Sequence, residues 1–211
     1  MNDFILEACV ETLGQAEYAL LHGAHQLEVC SHLEADGLTP DITLLEKLDP
    51  DHHLPVKPMI RCRAGDFNYT ADELTIMVAS VEEIRSRCRV IGFVFGALTV
   101  DEDGHLQPDL KAVRAISEAA RGIPLTFHKA IDLCTDLPRA VRQLAGIPGV
   151  RYILSSGGAR TAAEGAEMLS KMQLAAGSSI DIIAAGKVTR QNVEELAAIT
   201  GLTMFHGRQI V

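Results

Sequence analysis

Apolar residues along this chain follow two alternating rhythms. Short β-rich runs cover Phe4–Val10, Gln26–Ser31, Val56–Cys62, Val90–Gly96, Pro124–Lys129, Tyr152–Ser156, Asp181–Gly186 and Thr203–Gly207. Their starts lie roughly 22 to 34 residues apart, the length of one strand plus one crossover helix. The segments between them carry helical periodicity: Leu74, Met77, Val78, Val81 and Ile84 mark one buried face, and Leu110, Val113, Ile116 and Ala120 another, ended by Gly122. Thr12 with Gln15, Thr70 with Glu73 and Thr161 with Glu164 each fit a capping box, in which the first side chain bonds an orphan amide and the fourth reaches back. Strict alternation implies a parallel sheet covered by helices, and eight units favour a closed (β/α)8 TIM-type barrel, one domain over residues 1–211. A Gly-x-Gly-x-x-Gly turn after the first strand is absent; the loop reads Glu11-Thr12-Leu13-Gly14, which argues against an open nucleotide-binding sheet.

Such barrels typically run to about 250 residues. Here Val211 follows the eighth strand by four residues, with no room for a C-terminal helix. The flank of strands one and eight is therefore expected to be uncovered and to be masked by a second subunit, giving a homo-oligomer.

Period-two alternation places the chemistry. Glu7 and Cys9, Glu28 and Cys30, Arg61 and Arg63, His128, Ser156 and His206 take the inward parity at the carboxyl ends of their strands, while Leu6, Val29, Ile60 and Phe127 face the helices. All these polar residues converge on the barrel mouth, where chemistry is expected. Glu7, Glu28, Arg61 and His128 form a candidate acid/base set; equally, Glu7 and Glu28 can serve as structural counter-ions to Arg61 and Arg63. Gly-rich turns at Ser156-Gly157-Gly158 and at Gly186 offer backbone amides to an anion, and Arg61 and Arg63 can add bidentate contacts. Cys9 and Cys30, on adjacent strands about 4.8 Å apart, can share a soft ion such as Cu(I) or oxidise to a disulfide. His52 and His53 read as part of a solvated connection, and no Cys-x-x-Cys or His-x-x-x-His pair suggests zinc.

Composition narrows the partners. A net charge of −9 argues against nucleic acid. No long apolar run predicts a membrane span, no signal segment is visible, and five scattered cysteines read as reduced thiols, so a cytoplasmic protein is expected.

Several stretches together resemble the CutC copper-homeostasis family. They are Gln26-Leu-Glu-Val-Cys-Ser31 with Asp36-Gly-Leu-Thr-Pro40, Ile60-Arg-Cys-Arg-Ala-Gly-Asp-Phe-Asn-Tyr69, Val94-Phe-Gly-Ala-Leu-Thr99, Leu125-Thr-Phe-His-Lys-Ala-Ile-Asp132 and Ile153-Leu-Ser-Ser-Gly-Gly158. The resemblance extends to Phe205-His-Gly207 and implies a cytoplasmic (β/α)8 barrel concerned with copper, its Cu(I) held by the cysteines matching Cys9 and Cys30. Cys62 and Ala64 stand where the family pattern has Pro and Gly, and Cys62 has outward parity, away from a metal site. The family's longer C-terminal segment has no counterpart here. Against the copper reading stands a different class: a lyase or isomerase acting on a small anionic or phosphorylated metabolite, with Arg61 and Arg63 holding the anion and His128 or Glu28 moving the proton.

Overall fold

The structure, a computed structural model, describes residues 4–48 and 55–211; the histidine pair at 52 and 53 lies outside them. The chain opens β1 (Ile5–Val10), α1 (Leu13–Leu21), β2 (Gln26–Val29), α2 (Ile42–Leu48), β3 (Val56–Pro58), α3 (Ala71–Arg87) and β4 (Phe93–Phe95). A short excursion, β5 (Leu98–Val100) and β6 (Leu106–Pro108), precedes α4 (Leu110–Ala120). The alternation then resumes with β7 (Leu125–Phe127), α5 (Leu137–Ala145), β8 (Val150–Ser155), α6 (Ala166–Ala176), β9 (Asp181–Ala184), α7 (Val193–Thr200) and β10 (Met204–Gly207).

Eight parallel strands form one sheet in the order β3-β2-β1-β10-β9-β8-β7-β4. Its two ends meet through a parallel bridge between Met59 and Val94, where the Ile60 amide donates to the Val94 carbonyl at 2.7 Å. The sheet thus curls into the expected (β/α)8 barrel. The excursion is an antiparallel hairpin, β5 with β6, around the Asp103-Gly104 turn. It lay unrecognised in the sequence because three-residue strands give period-two patterning too little length to register.

Caps explain where the helices begin. Thr70 accepts from the Glu73 amide while the Glu73 carboxylate accepts from the Thr70 amide, a complete box ahead of α3. Thr161 and Glu164 make the same reciprocal pair, but around a turn, and α6 starts later at Ala166. Thr12 caps α1, and Gln15 reaches back one residue further, to the Glu11 amide. The predicted apolar faces pack inward, with Met77, Val81 and Ile84 of α3 and Val113, Ile116 and Ala120 of α4 fully buried against the sheet.

Inside the barrel, Leu154, Ile183, Ala185 and Met204 form one apolar cluster and Cys30, Met59 and Val94 another. The flank between β10 and β1 is covered in part from within the chain. Phe205, facing outward there, is fully buried, and Phe4 packs edge-on against it with ring centres 5.5 Å apart. The residue just before β1 therefore covers Phe205, while Ile5 of β1, Tyr18 and Leu21 of α1 and Ile199 of α7 stay exposed beside it.

Candidate functional site

Strand register builds the site layer by layer. Glu7 sits opposite His206 of β10 on one side and Gln26 of β2 on the other; Cys9 sits opposite Glu28, and Glu28 opposite Lys57 of β3. Because these residues share inward parity, their side chains meet on the barrel axis.

Glu7 lies deepest and is completely buried. One carboxylate oxygen accepts from Lys57 Nζ at 2.9 Å and Gln26 Nε2 at 2.8 Å, and the other lies 2.9 Å from His206 Nδ1. Burial alone would raise its pKa, but Lys57 and His206 outweigh desolvation and hold it at about 2. Arg61 and Arg63, which strand parity offers as alternative counter-ions, do not reach Glu7. Instead the counter-ion is Lys57, fully buried beneath the Tyr152 ring at 4.3 Å from its centre. Lys57 has the same strand parity as Arg61, so the signal that found Arg61 applied to it as well.

Above Glu7, Glu28 accepts from the Cys30 thiol at 3.4 Å and its second oxygen lies 3.3 Å from His206 Nδ1. Desolvation dominates here and pushes its carboxyl up to about 8, although His206 pulls the other way. The two glutamates are thus driven apart, one ionised and one held as the acid. Burial opposes a charge on His206, yet Glu28, Cys9 and Glu7 hold it protonated well above the ordinary histidine range.

The two thiols crown this stack. Ligand atoms of Cys9, Glu28 and Cys30 all lie within 4.8 Å of one another. The neighbouring Cys30 thiol, with help from His206, lowers the Cys9 pKa to about 5, while Cys9, burial and Glu28 push Cys30 itself well up. For Cys9 the neighbouring Cys30 thiol and the imidazolium of His206 together outweigh burial. Cys62 lies away from this group and packs against the outer core, as its parity indicated.

The stack forms the floor of a cavity of about 1120 Å³ at the carboxyl ends of the strands, lined by Cys9, Glu28, Cys30, Arg61, His128, Ser156, Gly158, Gly186 and His206 among others. Arg61 is buried with no carboxylate on it among the described residues. Its guanidinium donates to the carbonyls of Ala35 at 3.0 Å, Gly37 at 3.2 Å and Gly65 at 2.8 Å, and stacks on Phe67. His128 accepts from the Ala130 amide through Nδ1, and its Nε2 has no hydrogen-bond partner. Burial, with Arg61 as a secondary cause, drives its pKa down to about 3, so it is a neutral imidazole.

Two anion contacts expected from sequence are occupied by the protein itself. Arg63 is not at the mouth. It turns outward onto Glu73 and Asp66 and onto the carbonyls of Asp66 and Asn68, tying its loop to the start of α3. The amides of Ser156 and Gly158 each donate to Asp132 at 3.0 Å, the Gly157 amide donates to Ser155 Oγ, and both serine hydroxyls and Lys129 Nζ also bond the Asp132 carboxylate. The Ser156-Gly157-Gly158 cradle is therefore filled by an internal anion. Asp132 stands in a 3-10 turn, Lys129–Leu133, just after β7, and its role was missed because nothing in spacing pairs it with β8. Gly186 remains on the cavity wall with φ of +99°, and a Cβ there would approach Ser156 Cβ to 3.0 Å.

Residues 4–211 match the model of the CutC family. The chain belongs to the CutC family. Relatives include the copper homeostasis protein cutC homolog of Caenorhabditis elegans, 37% identical over 95% of this chain and 78% of the relative. The human protein of the same name is 33% identical over 97% of this chain and 73% of its own length. Among solved structures, a CutC from Streptococcus agalactiae superposes with a TM-score of 0.90 at 26% identity, covering 99% of this chain and 100% of that one. Barrels of the PEP mutase/isocitrate lyase superfamily, such as a 2,3-dimethylmalate lyase with a TM-score of 0.64 at 14% identity over 98% of this chain and 76% of that one, share the fold alone.

Proposed function

We propose that this CutC chain serves copper homeostasis by binding Cu(I) through Cys9 and Cys30. The observation that carries the reading is the pairing of two thiols within 4.8 Å of each other and of Glu28 on the floor of an open cavity. Two sulfur donors on neighbouring strands suit a soft ion of low coordination number, whereas the hard oxygen cage that Mg²⁺ or Ca²⁺ requires is not what these residues offer. Cys9 is held as thiolate and can bind first; Cys30 must lose its proton when the metal arrives, and Glu28, already protonated, adds no second charge at neutral pH. The named relatives add support, since two of them carry copper homeostasis in their names. We place the protein in the cytoplasm, where its five free cysteines stay reduced.

Cu(I) affinity measured by competition against a strong chelator tests this. Wild type is expected to bind one equivalent, and Cys9→Ser/Cys30→Ser to lose that site. Equal binding by the two proteins would remove the pair from consideration.

A further inference from the structure

The cavity is far larger than a single ion needs, and its charge has the wrong sign for one. Over the whole chain acids outnumber bases, 28 to 19. Along the cavity wall the order reverses: Arg61, Lys129, Arg160, Lys187 and Arg208 face Glu28, Asp36 and Asp132. Of the acids, Asp132 is consumed by Lys129 and the β8 turn. Among the described residues, of the bases Arg61 is buried without a carboxylate, Arg208 donates to the Leu33 carbonyl, and Arg160 and Lys187 are exposed with no ion pair. Lys187 also takes φ of +54°, a conformation a side chain rarely adopts, directly after Gly186 on the loop that follows β9. A mouth of unpaired cations repels a bare monovalent cation and attracts an anion, and a low-dielectric cleft strengthens that preference.

Taking the copper reading as given, we propose that Cu(I) enters this cavity as a complex with a small anionic thiol, not as the free ion, and that Arg160 and Lys187 with Arg208 receive the ligand's carboxylates while Cys9 and Cys30 take the metal. In the exchange, Cu–S bonds to the donor break and Cu–Sγ bonds to Cys9 and Cys30 form. The proton leaving Cys30 goes to a released donor thiolate, and copper stays Cu(I) throughout. The volume of about 1120 Å³ accommodates such a ligand beside the thiols. Asp36, the one acid of the wall left free of Lys129 and the thiols, is outnumbered by the cations around it.

Matched donors test the idea. Glutathione and its diethyl ester present the same thiol to Cu(I), but only the first carries free carboxylates. Stopped-flow transfer to the wild-type protein is expected to be about tenfold faster from Cu(I)–glutathione than from the Cu(I)–ester complex, with the advantage shrinking as salt is added. In Arg160→Gln/Lys187→Asn, both exposed positions, the two rates should converge while equilibrium Cu(I) affinity stays unchanged. Equal rates in the wild type, or a ratio untouched by the double variant, would overturn the proposal and leave the copper site standing. Failure of Cys9→Ser/Cys30→Ser to lower Cu(I) affinity would instead sink the copper reading beneath it.

Discussion

Glu7 shows how one residue sets the cost of the site. A buried carboxylate is tolerable only because Lys57, Gln26 and His206 surround it, and removing a single partner leaves an uncompensated charge. Lys57→Met is therefore expected to destabilise the fold by about 3–5 kcal/mol in urea unfolding. Adding Glu7→Gln should recover much of that loss, since both charges are then gone; no recovery would show that the lysine acts through packing. The same pairing has a pH signature. With the Glu7 pKa held at about 2 against an ordinary 4.5, the unfolded chain binds more protons in that interval. The stabilisation is thus complete above about pH 4.5 and is lost as pH falls through 2, roughly 3 kcal/mol in all. Glu7→Gln should flatten that part of the acid limb in a pH series of unfolding free energies, and an unchanged limb would place the proton uptake elsewhere.

At the scale of elements, the turns around the mouth depend on close contacts that no period encodes. Gly96, just past β4, lies under the His128 ring, and a Cβ there would come within 2.5 Å of Cε1 and Nδ1. Gly96→Ala should cost about 1–3 kcal/mol in thermal or urea unfolding and displace the imidazole, visible as a shifted His128 ring resonance in NMR. Asp132→Asn removes the acceptor from the β8 turn; the amides of Ser156 and Gly158 should then exchange with solvent faster than in wild type, while those of α3 stay protected. These contacts also mark the limit of what was legible beforehand. All eight barrel strands were legible as apolar runs at regular spacing, and Glu7, Cys9, Glu28, Cys30, Arg61, His128 and His206 take the inward parity of their strands, Cys30, Arg61 and His128 just beyond the strand ends. Lys57 obeyed that parity and was passed over for arginines two and three turns of alternation further along. Asp132 was not singled out and Arg63 was placed at the mouth wrongly, since each lies in a loop where side-chain direction is set by tertiary contacts and not by a repeat. The β5–β6 hairpin and the cover of Phe205 by Phe4 escaped for the same reason: both are settled by what the finished barrel leaves room for.

For the molecule as a whole, the position of the thiols ties ligand binding to barrel stability. β1 and β2 are neighbours within a sheet whose far edges are joined at Met59 and Val94, so opening either strand breaks the closed ring. An ion bridging Cys9 to Cys30, as proposed, would join β1 to the residue just after β2 and hold the two together only while both are in place. A ligand that binds the folded state alone adds about 2.7 kcal/mol at a free concentration a hundred times its dissociation constant. For a chain of this size that corresponds to roughly 5–10 °C in the unfolding midpoint. Thiols of the unfolded chain also bind Cu(I), so the observed shift should fall toward the lower end. Because the bridge lies inside one cooperative ring, the transition should move as a single step and not split in two. Calorimetry of the protein with and without saturating Cu(I), buffered by a chelator, measures this directly. Cys9→Ser/Cys30→Ser should show no upward shift with Cu(I), since its three remaining thiols bind the ion in the unfolded chain; an upward shift equal to the wild type's would mean that copper stabilises the barrel from somewhere other than its mouth.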